Sequence, residues 1–201
     1  MALVQALPEL DDVYIPLARR SRAEGRWPQD VASAFGRSVA LLLQQQVKDE
    51  IAYLARCKRA AILERWLTGT PMQQIEERFT INAFSSIASG HVRGVADATR
   101  FHLRSASTIA TALLIENGPS QQDIDALLTQ LEFGIPADML NLLTLPVTLS
   151  RGEYLLLRTN GVRTIGELWS LSSEKLIGFL GTSFAEALER HRPADPYAAV
   201  S

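Results

Sequence analysis

With 201 residues, 47% of them hydrophobic and 21% charged, the chain has the composition of a globular protein of one large or two small domains. A net charge of −2 and a pI near 5.9 exclude a broadly basic nucleic-acid footprint, so any phosphate contact must come from local stripes. The single cysteine, Cys57, excludes an internal disulfide framework and a cysteine-based zinc cluster, and no stretch approaches the roughly 18 apolar residues of a membrane span.

Residues 1–30 read as an irregular N-terminal segment or linker. MALVQALPELDD lacks the basic start and the apolar run of a signal peptide, so a reducing cytoplasm is the expected compartment. Pro8, Pro16, Gly25 and Pro28 interrupt short apolar pieces, and residues 13–17 suit a short extended stretch. Arg19, Arg20, Arg22 and Arg26 form a basic cluster that suits a mobile, solvated arm or a phosphate contact.

From 29 to 67 the spacing predicts helix, with Pro28 in the first turn and a break or kink near Gly36. Val31, Phe35, Val39, Leu42 and Leu43, then Val47, Ile51, Leu54, Ala61, Ile62 and Trp66, mark its buried side. Lys48, Asp49, Glu50, Arg56, Lys58 and Arg59 fall on the polar face, and Cys57 reads as a half-buried filler. Gly69 suits a helix stop, after which Thr70, Pro71 and Gln73 have the spacing of a capping box for a short helix over 71–79.

Residues 84–114 contain no proline and predict one long helix ending near Glu116, where Asn117, Gly118 and Pro119 break it. At 100° per residue Arg93, Arg100 and Arg104 fall within about 20° of one line, Asp97 lies beside them, and Phe101 borders the stripe at roughly 80°. The opposite side carries Val95, Thr99, His102, Ala106, Ile109 and Leu113, spaced for burial. Such a stripe suits a passing nucleic-acid strand, with arginines on phosphates and the ring on a base. It equally suits a solvated face paired with carboxylates such as Asp97.

Ser120 with Asp123 starts the next helix, with Ile124, Leu127, Leu128 and Leu131 inward and Gly134 as its stop. Ile135-Pro136 restarts a short helix through Leu143. Ser150/Glu153, Thr164/Glu167 and Ser183/Glu186 have capping-box spacing, and Gly161 and Gly181 are stops. Short helices are therefore expected near 151–160, 165–171, 173–180 and 184–192. Leu145, Leu149, Tyr154, Leu157, Leu168 and Trp169 are the expected small core, and 193–201 reads as a disordered tail. No segment beyond the N-terminal stretch alternates with a strand's period of two, so the class is all-α.

Motifs for chemistry are missing. The sequence has no phosphate-binding G-x-x-x-x-G-K-[ST] loop, no G-x-S-x-G and no H-E-x-x-H, and His91, His102 and His191 form no ligand pattern with Cys57 or paired carboxylates. His102 reads as a satisfied core histidine.

Two stretches resemble one family. In residues 60–114, an apolar helix ends in Trp66 and the turn Leu67-Thr68-Gly69. The acidic helix Gln74-Ile75-Glu76-Glu77-Arg78-Phe79 follows, then His91-Val92-Arg93-Gly94-Val95-Ala96-Asp97-Ala98-Thr99-Arg100-Phe101. This order resembles the helical domain of superkiller-like superfamily 2 DNA helicases, of the archaeal repair helicase or HELQ type, whose ratchet helix lies along the strand the motor pulls. Arg93 and Phe101 match the family's base-contacting positions; His91 replaces an acid there and Gly94 a common basic residue. Residues 142–168 are similar to the helix-hairpin-helix module that follows. Leu145-Pro146, Asn160-Gly161-Val162-Arg163-Thr164 and Glu167-Leu168 match, whereas Val147-Thr148-Leu149-Ser150 replaces the glycine-bearing turn, which implies a retained fold with a weakened or lost phosphate grip.

The resemblance implies a ratchet-type domain over 31–134 and a small helix-hairpin-helix-like domain over 135–192. Together they would be the C-terminal accessory part of an ATP-dependent DEAD/DEAH-type helicase. It would guide single-stranded or forked DNA, or RNA, away from the motor domains, in cis or trans, without catalysis or cofactor of its own; ATP and Mg would belong to the motor. Arg93, Arg100, Phe101 and Arg104, with Arg151 at the start of the helix after the degenerate hairpin, are the implied nucleic-acid contacts. The alternative is a helicase-derived helical module that docks another protein.

Overall fold

Helix α3, Glu50–Leu67, is the element on which the first half of the chain is built. In the computed structural model, which describes residues 1–19, 21–113 and 118–192, every residue from 56 to 63 is buried. A helix covered on all sides needs neighbours all round. They are α1 (Trp27–Phe35), α2 (Arg37–Gln44), α4 (Met72–Phe79), α5 (Ser89–Ala112), α6 (Gln121–Phe133) and the 3-10 turns Ala2–Ala6 and Pro8–Asp12. The described residues are helical with no strand, so the all-α class holds. They divide into two compact units after Gly134. The expected helix end at Glu116 and Asn117, Arg20 of the basic cluster, and the tail at 193–201 lie outside the described residues.

Two expectations for this half are corrected. The N-terminal segment is no mobile arm or linker: Ala2–Ala6, Pro8–Asp12 and Arg22–Arg26 form 3-10 turns within the first unit. Arg56, Lys58 and Arg59 are not a polar face; they are 0–1% exposed. The physical reason is common to both. Buried cations need buried acceptors, and the N-terminal segment supplies them. Arg56 Nε and Nη2 bond both carboxylate oxygens of Asp11 at 2.8 and 2.7 Å, and its Nη1 reaches Gln45 O at 2.9 Å. Arg59 reaches Gln5 Oε1 at 3.0 Å and Asp11 at 3.4 Å. Gln5 passes its amide on to Thr99 Oγ1 of α5 at 2.8 Å. Lys58 Nζ donates to Pro16 O at 2.7 Å and to Glu24 at 3.3 Å, and Trp27 Nε1 donates to the other oxygen of Glu24.

The expected break falls at Gly36, whose φ of 92° favours glycine, and again at the loop before Asp49, which caps α3 by accepting from Ala52 N at 2.8 Å. The proposed cap at Thr70/Gln73 does not form: α4 starts after Pro71 with no side-chain cap, and Gln73 bonds Glu77 instead. Trp27 stacks on Phe79 at 4.8 Å, closing the core between α1 and α4.

In the second unit a 3-10 run, Ala137–Thr144, leads to α7 (Arg151–Thr159), α8 (Ile165–Trp169), α9 (Ser173–Leu180) and α10 (Thr182–Glu189). Leu145, Leu149, Tyr154, Leu157, Leu168 and Trp169 are buried, at most 8% exposed. Capping boxes form at Ser150/Glu153 and Thr164/Glu167. The one proposed at Ser183/Glu186 does not, because α10 already begins at Thr182 behind Gly181, with φ 79°.

Candidate nucleic-acid interface

α5 runs 24 residues without a proline. Its buried side is Val92, Val95, Ala96, Thr99 and Leu103, which face α3, α6 and the N-terminal turns. Burial stops there. Ala106 is exposed, Ile109 is 57% exposed and Leu113 67%, so the lower half of the expected inward face meets no described residue that covers it. His102 is half-buried, edge-on to Phe101 at 5.2 Å. The helix also begins later than its spacing suggests, at Ser89. Ala88 offers no side-chain cap, and the Ala88 amide is taken by His91 Nδ1 at 3.0 Å.

The arginine stripe is present in geometry and uneven in charge. Arg93 and Phe101 are exposed, the ring at 68%. Arg100 is spent: its guanidinium bonds Asp97 at 3.2 Å and Glu132 of α6 at 2.5 Å. Arg104 makes no ion pair among the described residues, yet it lines an 810 Å³ groove between α5 and α6 whose walls include Asp125 and Glu132. Carboxylates repel phosphate, so the C-terminal half of the stripe is a poor anion path. Arg151 belongs to the second unit, half-buried at the first position of α7.

The chain that leads into the N-terminal end of α5 differs in composition. From Thr80 to Ala96 there is no Asp or Glu, and Arg93 is the only Arg or Lys. Within that stretch Phe84 is 97% exposed, on the 3-10 turn Ala83–Ser85. Reading 84–114 as one helix hid this residue. The local signal was Asn82 with Ser85, a capping pair that marks a separate turn.

The other group with candidate chemistry is Cys57. Burial pushes the Cys57 thiol up to about 12, against a hydrogen bond to Tyr53, and leaves it protonated and unreactive at neutral pH. Among the described residues no group of three or more His, Cys, Asp or Glu could hold a metal ion, and no helix is long and apolar enough to cross a membrane. No protein-family model matches the sequence, and no curated protein matches it.

Proposed function

We propose that this chain is the C-terminal accessory region of an ATP-dependent superfamily 2 helicase. Its first unit would be the ratchet-type domain and its second the helix-hairpin-helix-like domain. α5 contacts single-stranded nucleic acid leaving the motor domains, and ATP hydrolysis is left to those domains. The observation that carries this reading is the exposure of Arg93 and Phe101 on a long helix whose reverse side is anchored by Val92, Val95, Ala96 and Thr99. They stand about 12 Å apart along the axis, so a cation for phosphate and a ring for a base are offered by one rigid element. Contacts of these kinds are independent of sequence.

The two contacts have different signatures. Arg93→Ala should weaken binding of a labelled oligo-dT and flatten the log–log salt slope by about 0.7, one counterion on a single strand. Phe101→Ala should weaken binding with the slope unchanged, by roughly 1–3 kcal/mol. Arg100→Ala should do little to the slope, because Asp97 and Glu132 already offset that charge. Wild-type affinity in both Arg93→Ala and Phe101→Ala would remove the reading.

A second reading, a module that docks another protein, is favoured by the bare Ile109 and Leu113. Under it, Ile109→Asp with Leu113→Asp would abolish association with the motor domains while the Arg93 and Phe101 variants bind them normally.

A further inference from the structure

We infer that Arg26, Arg65 and Arg78 form a binding pocket for a phosphoryl group, a site that does not depend on the reading of α5. The three come from different elements: the 3-10 turn Arg22–Arg26, the last turn of α3 and the last turn of α4. They nevertheless line one cavity of about 720 Å³. Gln74 and Thr80 line it too, and Glu77 is its one carboxylate.

The arginines are held in unequal ways. Arg26 has no carboxylate partner among the described residues. Its Cζ lies 4.2 Å from the centroid of the Trp27 ring, its Nη2 donates to Arg78 O, and its enclosed Nε has no acceptor. Arg65 and Arg78 also line a second cavity, and their carboxylates belong to that one. There Asp30 meets Arg78 Nη2 at 2.8 Å and Glu64 meets Arg65 Nε at 3.0 Å. Asp30 and Glu64 do not line the first cavity. Each ion pair occupies one nitrogen of a guanidinium with five N–H donors, so donors remain for a ligand. Both pairs are partly exposed, and such pairs are weak competitors for an arginine. The frame beneath is fixed: Trp27 stacks on Phe79 at 4.8 Å. Thr80 Oγ1 accepts from Ile87 N at 2.9 Å, which leaves its hydroxyl hydrogen to donate.

Charge and shape choose the ligand. This wall sets three arginines against one carboxylate, whereas the groove between α5 and α6 sets Arg104 against Asp125 and Glu132. A planar carboxylate is matched by the fork of a single arginine; three forks on three elements suit a tetrahedral oxyanion carrying more than one charge. The cavity also leaves room for whatever the phosphoryl group is attached to. A nucleic-acid backbone and free phosphate both offer this chemistry. Glu77, whose Oε1 accepts from Gln73 Nε2 at 2.8 Å, opposes such a ligand and so supplies a test of opposite sign.

The test follows arginine Nε–H and backbone amide signals of the full chain by NMR as inorganic phosphate is added at constant ionic strength, with acetate as the control anion. Phosphate should shift the signals of Arg26, Arg65 and Arg78 saturably, and acetate should not. Arg65→Gln should weaken phosphate affinity about 10-fold or more. Glu77→Gln should strengthen it, and Lys175→Gln in the second unit should leave it unchanged. Glu77 is exposed and the Arg65 side chain is 42% exposed, so both variants should melt as wild type does, which guards against misfolding. Anisotropy of labelled oligo-dT identifies the source. If Arg65→Gln weakens oligo-dT binding along with phosphate binding, the ligand is the strand backbone; if oligo-dT binding is unchanged, it is free phosphate. Either result supports the pocket. No saturable shift, the same shift with acetate, or an affinity indifferent to Arg65→Gln and Glu77→Gln overturns the inference and leaves the proposed function to its own variants at Arg93 and Phe101.

Discussion

Asp11 holds two buried guanidiniums at once. Partial burial by itself would raise its pKa; the hydrogen bonds and charges of Arg56, then Arg59, outweigh that and hold the carboxyl below the usual range. Burial likewise pulls Lys58 down, partly countered by Glu24. Because Asp11 has a lowered folded pKa, its contribution is fully present above the unfolded value near 3.8 and is lost as pH falls through the folded value. Removing it strands buried cations, so Asp11→Ala should cost about 3–5 kcal/mol at pH 7. Melts compared from neutral pH down to the acid limit should show the gap between wild type and variant shrinking only at the acid end. A gap that is small at pH 7, or that does not change with pH, would mean Asp11 is not the counterion of Arg56 and Arg59.

At the scale of elements, what was legible in the sequence is what is decided within a few residues. Ser150 with Glu153, Thr164 with Glu167, and the breaks at Gly36 and Gly134 are local chemistry and appear in the structure as read. The face of α3 was not legible, because Asp11 and Glu24 lie 45 and 34 residues before the cations they meet. Charge spacing alone cannot tell a solvated face from a buried one whose partners arrive from elsewhere. The end of α5 failed in the opposite sense: Ile109 and Leu113 have inward spacing with no described cover. Of the candidate site, the exposure of Arg93 and Phe101 was readable from helical phase, whereas the loss of Arg100 to Glu132 of α6 required the packing of two helices. Gly134 shows how a local signal can carry a tertiary constraint as well. It ends α6 at φ 65°, and a Cβ there would come within 2.2 Å of the Trp66 ring, itself fixed by Nε1 donating to Leu131 O at 2.9 Å. Gly134→Ala therefore combines a left-handed backbone with overpacking, and should destabilise by about 2–4 kcal/mol. A melt within a degree of wild type would show that the Trp66 site yields more readily than its geometry implies.

For the molecule as a whole, the near-neutral composition understates how local any nucleic-acid contact must be. Arg56, Lys58 and Arg59 are three of the 20 basic residues and face the interior, so the surface is more acidic than the count suggests. Any contact with an anion must then be local, and on α5 the exposed cations are Arg93 and Arg104. The same three cations make the first unit depend on the segment that reads least like structure. Both of their carboxylate partners, and the Gln5 link to Thr99 of α5, come from the first 24 residues. Deleting residues 1–26 should therefore do more than trim a surface. It leaves three charges in a core that cannot solvate them, each carrying a penalty of several kcal/mol against a total stability of about 5–15 kcal/mol. The shortened chain should lose the cooperative melt of the first unit, and amides of α3 should lose their protection from hydrogen exchange, while amides of α7 keep theirs because the core around Leu157 and Trp169 is its own. A shortened chain that retained slow exchange along α3 would show that its cations find other partners, and the N-terminal turns would then be a covering rather than part of the core.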